Sequence, residues 1–238
     1  KISIKSLENN INPKTKVLIL NSPSNPTGCV YTRDELSQIA SICVRKNIFV
    51  ISDEIYEKLI YDGLKHISIA SFNKEIKDLT ITINGLSKSY SMTGWRIGYL
   101  GAPAAIVEAI SRLQDHSTSN PTSISQKAGC AALSAPDDFS NKICQEFQKR
   151  RDYCFARLKG MEKIAHSFPG GAFYIFCDIS KTKLDSLTLS SRLLDETYVS
   201  LIPGRGFGRD DYVRISFATD LKQLEKGMDR LEQRLNKL

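Results

Sequence analysis

The chemistry open to this chain rests on a few polar side chains placed just after apolar runs. Lys88 follows the run 79–83 and lies within the segment 84–101, NGLSKSYSMTGWRIGYLG. A buried ammonium tends to lose its proton, and the neutral amine so formed is the nucleophile that makes a Schiff base with an aldehyde. Taken alone, a lysine between serines reads equally as a solvated loop residue. Arg96, eight residues on, offers a planar fork suited to a phosphate, with Ser87 or Ser89 as a hydroxyl donor beside it. Asp53 and Tyr56 belong to VISDEIY (50–56), and Asn25 to NSPSNPTG (21–28). In isolation these three read as a helix cap, a core tyrosine and a turn residue. In YVRISFA (212–218) the apolar Val213, Ile215 and Phe217 alternate with Arg214 and Ser216, which turns Arg214 to the other face of a strand. Alone, Arg214 reads as an edge charge.

These residues need a scaffold that gathers strand ends. The short apolar run 17–20 predicts a strand covered on both faces. Thr32 followed by Glu35 makes a capping box, and Leu36, Ile39, Ala40, Cys43 and Val44 then form a helical stripe. Residues 48–51 and 79–83 supply two more strands. Strand, helix and strand in this compass predict a βαβ unit and a mainly parallel sheet, whose ligands gather beyond the carboxyl ends. All three motifs, NSPSNPTG, SDEIY and NGLSKS, follow such ends. Pro103 and Pro121 open two further helices, and Pro136 breaks the pattern. The spacing predicts a domain change there, giving domains at 1–134 and 135–238. Beyond it come a long amphipathic helix to about residue 158, a strand at 172–177, a helix at 187–196, a strand at 212–217 and a last helix with Leu221, Leu224, Met228, Leu231 and Leu235 on one stripe.

In order and spacing, NSPSNPTG, VISDEIY and SKSYSMTGWRIG (87–98) resemble the fold-type I pyridoxal-phosphate enzymes, and within them the class I aminotransferases of the bacterial aspartate aminotransferase type. The resemblance implies an α/β fold: the C-terminal portion of a large cofactor-binding domain with a mainly parallel sheet, followed by a smaller α+β domain. In that family NPTG lies well inside the chain, so this sequence corresponds to roughly the C-terminal three-fifths of such an enzyme. The implied cofactor is pyridoxal 5′-phosphate, with Lys88 as its Schiff-base lysine and Asp53 facing its ring nitrogen. Tyr56 and Asn25 would donate to the phenolate oxygen, and Arg96 with Ser87 would hold the phosphate. Part of the family has a serine three residues before the lysine where this chain has Gly85, which leaves Ser87 and Ser89 both open as the hydroxyl donor. Arg214 would clamp the substrate's α-carboxylate, and Glu54 reads as a structural contact. The implied reaction is transamination between an amino acid, aspartate by resemblance, and a 2-oxo acid such as 2-oxoglutarate, in a cytoplasmic homodimer. Carbon–sulfur β-elimination on the same cofactor, or a non-enzymatic relic of the fold, are the alternatives.

Composition is that of an ordinary soluble globular protein. The 238 residues are 41% hydrophobic and 25% charged, and no apolar run approaches the ~18 residues of a membrane span. The net charge of +7 has its densest basic cluster at Lys149, Arg150 and Arg151. That cluster falls on a helix with an apolar stripe of Phe139, Ile143, Phe147, Cys154 and Leu158, so it reads as the wet face rather than a nucleic-acid site. Six cysteines without a C-x-x-C pair read as reduced thiols. Three histidines about fifty residues apart predict no metal site.

Overall fold

Thr32 caps its helix as its spacing from Glu35 predicts: the Glu35 amide donates to Thr32 Oγ1 and the Thr32 amide to Glu35 Oε2, at 3.3 and 2.7 Å. The helix starts there because two amides without intrahelical partners are satisfied reciprocally. The computed structural model describes all residues, Lys1–Leu238. They divide into two units, Lys1–Pro23 with Val30–Asn141, and Ser24–Cys29 with Lys142–Leu238.

The first unit opens with a short helix α1 (Ile4–Asn10), then β1 (Val17–Asn21), α2 (Arg33–Lys46), β2 (Phe49–Asp53), α3 (Lys74–Asp78) and β3 (Thr80–Gly85). A single turn α4 (Leu86–Ser89), β4 (Gly98–Gly101), α5 (Ala104–Ser117) and α6 (Ser123–Ser134) follow. The sheet runs β1-β2-β3-β4, with the first two pairings parallel and the last antiparallel. Parallel register brings Asn21 opposite Asp53 and Asp53 opposite Ile83, so three strand ends open on one edge. Leu36, Ile39, Ala40 and Cys43 of α2 pack with Leu20, Val50 and, from α3, Ile76 into one core.

The expectation that 17–20 is covered on both faces fails on one of them. Leu20 is buried, but Val17 and Ile19 are 44% and 72% exposed, and Phe49 and Ile83 on the same face of the sheet are exposed too. Both α2 and α3 join the core on the Leu20 side, so alternation leaves the other side without cover in this chain. No helix is long and apolar enough to cross a membrane.

The second unit contains most of α7 (Asp138–Lys159), then β5 (Ala165–His166), β6 (Tyr174–Asp178), α8 (Ser186–Thr197), β7 (Ile202–Pro203), β8 (Tyr212–Ser216) and α9 (Leu221–Leu235). Its sheet is antiparallel throughout, in the order β5-β6-β8-β7. Helix α9 buries Leu224, Met228, Leu231 and Leu235, while Leu221 at its start is exposed. Phe147 of α7 stacks on Phe173 at 5.4 Å and meets Phe217 edge-on at 6.4 Å, an arrangement that aromatic quadrupoles favour.

The reading of Lys149, Arg150 and Arg151 as a wet face is corrected at its last member. Arg151 is 1% exposed, among the most deeply buried side chains of the chain. Its position on the helix explains this: 147, 151, 154 and 158 fall on one stripe at helical spacing, so Arg151 points where Phe147, Cys154 and Leu158 point. All six cysteines are free thiols. Burial pushes Cys43 up to about 11 and Cys154 up to about 12, which keeps both protonated and unreactive at neutral pH.

Candidate active site

The residues singled out by chemistry fall on both units. Asp53, Tyr56, Ser87, Lys88 and Arg96 belong to the first, on the segments that leave β2 and β3 at their carboxyl ends, while Asn25 and Arg214 belong to the second. Sequence order does not reveal that the short piece Ser24–Cys29 groups with residues more than a hundred positions away.

Asp53 is the last residue of β2 and is held from both sides of the strand end. Asn21 Nδ2 and the Ser22 amide donate to its carbonyl at 3.1 and 3.2 Å, and the Ile55 amide donates to its Oδ1 at 3.2 Å. Its own carboxylate thus fixes the turn it stands on. Tyr56, one turn later, is 3% exposed. Lys88 is half-buried on α4, directly beyond β3. Ser87 is partly exposed, whereas Ser89 is buried and its Oγ has no hydrogen-bond partner. Gly85, where part of the family has serine, is tightly enclosed. A Cβ there would stand 3.0 Å from Ile55 Cδ1 and 3.3 Å from Gly98 Cα, so the crossing of β3 and β4 favours glycine. Arg96 closes the turn Thr93–Trp95 with φ 51°, in the left-handed region, and its Nη1 donates to the Thr93 carbonyl at 2.8 Å. A non-glycine residue held there stores strain that is commonly found at functional sites.

In the second unit the structure joins two motifs read separately in the sequence. Arg214 Nη1 donates to Asn25 Oδ1 at 2.7 Å, across 189 positions. Register sets Arg214 opposite Phe176 on one side and Ile202 on the other. Its guanidinium lies 4.2 Å from the Tyr174 ring centroid and 5.2 Å from that of Phe207, and such cation–π contact holds the planar head in one orientation. Its Nε is buried without a hydrogen-bond partner.

One network escaped the sequence reading. Glu54, 3% exposed, accepts from Ser52 Oγ and Ser68 Oγ at 2.8 and 2.7 Å, and its Oε2 lies 2.7 Å from His66 Nε2. The signal lay in the paired S-x-E and H-x-S patterns at 52–54 and 66–68. Glu57 brings a third ligand-type atom to Glu54 and His66, all within 4.8 Å, but hydrogen bonds already occupy both Glu54 oxygens. Burial alone would raise the Glu54 pKa; the bonds from His66, Ser68 and Ser52 outweigh it and hold the carboxyl below the usual glutamate range. A depressed folded-state pKa adds stability that is present above the ordinary glutamate value of about 4.3 and is lost as pH falls through the lower folded value. Glu54→Leu strands three donors, the buried Ser52 and the part-buried His66 and Ser68, and is expected to cost about 3 kcal/mol. Urea midpoints at neutral pH check this, and the gap to the parent protein should narrow in acid.

The family model for aminotransferase class I and II matches residues 1–231. The chain is 46% identical over 238 residues to an aspartate aminotransferase of Bacillus sp. (strain YM-2), covering 98% of this chain and 61% of that protein. It is 42% identical over 242 residues to an aspartate aminotransferase of Bacillus subtilis (strain 168), covering 100% and 62%. Among solved structures, the aspartate aminotransferase from Rhizobium meliloti superposes with a TM-score of 0.95 at 33% identity, over 100% of this chain and 62% of the other. The aromatic aminotransferase from Pyrococcus horikoshii OT3 gives 0.93 at 40% identity, over 100% and 64%. The chain therefore spans about three-fifths of the length of the curated relatives it matches, with their mixed sheet and flanking helices.

Proposed function

Because the chain belongs to the class I and II aminotransferase family, we propose that the protein transfers an amino group between an amino acid and a 2-oxo acid with pyridoxal 5′-phosphate. The observation that carries the reading is the 2.7 Å bond between Arg214 and Asn25, which joins the proposed carboxylate clamp to a proposed cofactor ligand. The domains proposed are those read from sequence, a large domain at 1–134 and a small domain at 135–238.

The donor set fits the cofactor. Asp53 would face the ring nitrogen, Tyr56 and Asn25 the phenolate oxygen, Arg96 and Ser87 the phosphate, and Lys88 the aldehyde carbon. Ser89, with its buried and unpartnered Oγ, is the second hydroxyl that a phosphate would satisfy. When bound, the cofactor supplies an electron sink for negative charge developing at the substrate Cα.

This chain's residues supply the rest. Lys88 Nζ would take the proton leaving the substrate Cα and return it to the cofactor's former aldehyde carbon, and the same group would run the reverse transfer for the second substrate. Asp53 would hold the ring nitrogen in its protonated form. Arg214 would bind the substrate's α-carboxylate. Its Nη1 also donates to Asn25 Oδ1, which would hold the guanidinium in place for the carboxylate.

The names of the two Bacillus relatives support aspartate as the amino acid, and 2-oxoglutarate is proposed as its 2-oxo acid partner. A homodimer in the cytoplasm completes the proposal, and the free thiols agree with a reducing compartment. The test is Arg214→Lys in the full-length protein. Losing the fork is expected to lower kcat/KM for aspartate about 100-fold, mainly through KM; an unchanged KM contradicts the clamp. Oxaloacetate formed from aspartate only when 2-oxoglutarate is present marks transamination. Pyruvate and ammonia released from cystathionine would mark β-elimination instead.

A further inference from the structure

Arg151 is a buried cation that the proposed reaction does not use, and its surroundings lead to the site. Its Nε and Nη2 both bond Asp152 Oδ1, at 2.9 and 2.7 Å, and the guanidinium lies 4.2 Å from the Phe168 ring centroid. Its Nη1 donates to the Pro169 carbonyl at 3.2 Å. Pro169 in turn is the wall against which the NPTG segment stands. A Cβ added to Gly28 would lie 2.3 Å from Pro169 Cβ and 2.9 Å from the Gly171 carbonyl oxygen, and Gly28 has φ +66°. The Gly171 amide also donates to the Gly28 carbonyl at 2.9 Å. Three residues before Gly28 is Asn25, the partner of Arg214. Every link of this path lies within the second unit.

We propose that Arg151 is a positioning residue for substrate carboxylate binding: by fixing Pro169 it seats Gly28 and so holds Asn25 where Arg214 can bond it. The inference rests on the reading of Arg214 as the carboxylate clamp. A guanidinium suits the task because it is always charged and its planar fork bonds Asp152 and the Pro169 carbonyl at once. Lysine keeps the charge against Asp152, but its compact ammonium lacks the planar fork that spans Asp152 and the Pro169 carbonyl together. Displacement of the segment by a fraction of an ångström is enough to weaken a preorganised polar contact.

The test is calorimetric titration of the full-length holoprotein with succinate, an unreactive dicarboxylate, alongside melting curves. Arg151→Lys preserves the fold through its charge and is expected to weaken succinate binding about tenfold, with Arg151→Met at least as weak where it folds. Gly28→Ala disturbs the same seat from the other side and should also weaken binding about tenfold. The double variant Arg151→Lys with Gly28→Ala should lose no more than either alone, because both act through one contact. Unchanged succinate affinity in Arg151→Lys while Arg214→Lys is weakened overturns the role of Arg151 alone. Fully additive losses also overturn it, since they mean independent effects. Unchanged affinity in Arg214→Lys removes the clamp reading and this inference with it.

Discussion

The full-length protein carrying Lys88→Ala is expected to lose at least about 10⁴-fold in kcat, because in the proposed reaction one amine serves both as the covalent anchor of the cofactor and as the base that moves the Cα proton. The two roles separate experimentally. Exogenous methylamine should restore part of the proton transfer, while the anchor stays lost and cofactor dissociates on dialysis. Arg96→Gln, by contrast, should weaken cofactor retention and leave turnover of the loaded enzyme less affected. The position of Lys88 makes the expectation specific: it is half-buried on a single helical turn directly after β3, so its backbone is held by a strand rather than a free loop. Single-turnover rates with aspartate check the loss, and a Lys88→Ala enzyme that turns over normally contradicts the assignment.

The second large effect belongs to Asp53. Replacing its carboxylate by the isosteric amide in Asp53→Asn removes the charge that keeps a facing ring nitrogen protonated, and with it most of the electron sink. The expected loss in the first half-reaction is about 10³-fold, the scale of deleting a preorganised electrostatic partner. Asp53→Glu retains the charge but lengthens a side chain whose Oδ1 accepts from the Ile55 amide at 3.2 Å, so partial activity is expected. Stability should change little in Asp53→Asn, because the amide oxygen can still accept that bond. An active Asp53→Asn enzyme would mean the ring nitrogen is held by another residue.

Much of this site was legible because its signals are local. Strand ends are marked by apolar runs, and NSPSNPTG, SDEIY and NGLSKS each follow one; parallel register then brings Asn21, Asp53 and Ile83 onto adjacent strands. The capping box at Thr32 and the stripe on α9 are equally local. What could not be read depends on packing across long separations. The grouping of Ser24–Cys29 with Lys142–Leu238 has no sequence signature, since nothing in NPTG says which surface Gly28 will lean on. Arg151 was misread for a different reason. Charge outweighed position in the reading, although 147, 151, 154 and 158 share a stripe, and the compensating Asp152 was one residue away. The exposed Val17 and Ile19 show the converse limit: an apolar run states that cover is wanted, not that this chain supplies it. Serine assignment near Lys88 stayed open in the sequence because a hydroxyl's partner depends on which side of a four-residue turn it occupies.

The most direct measurement is borohydride reduction of the full-length holoprotein followed by tryptic mapping. A cofactor fixed to Lys88 blocks cleavage there, so the label is expected on a single peptide spanning residues 78–96, with loss of the visible absorption band. A label on any other lysine, or none, contradicts the account.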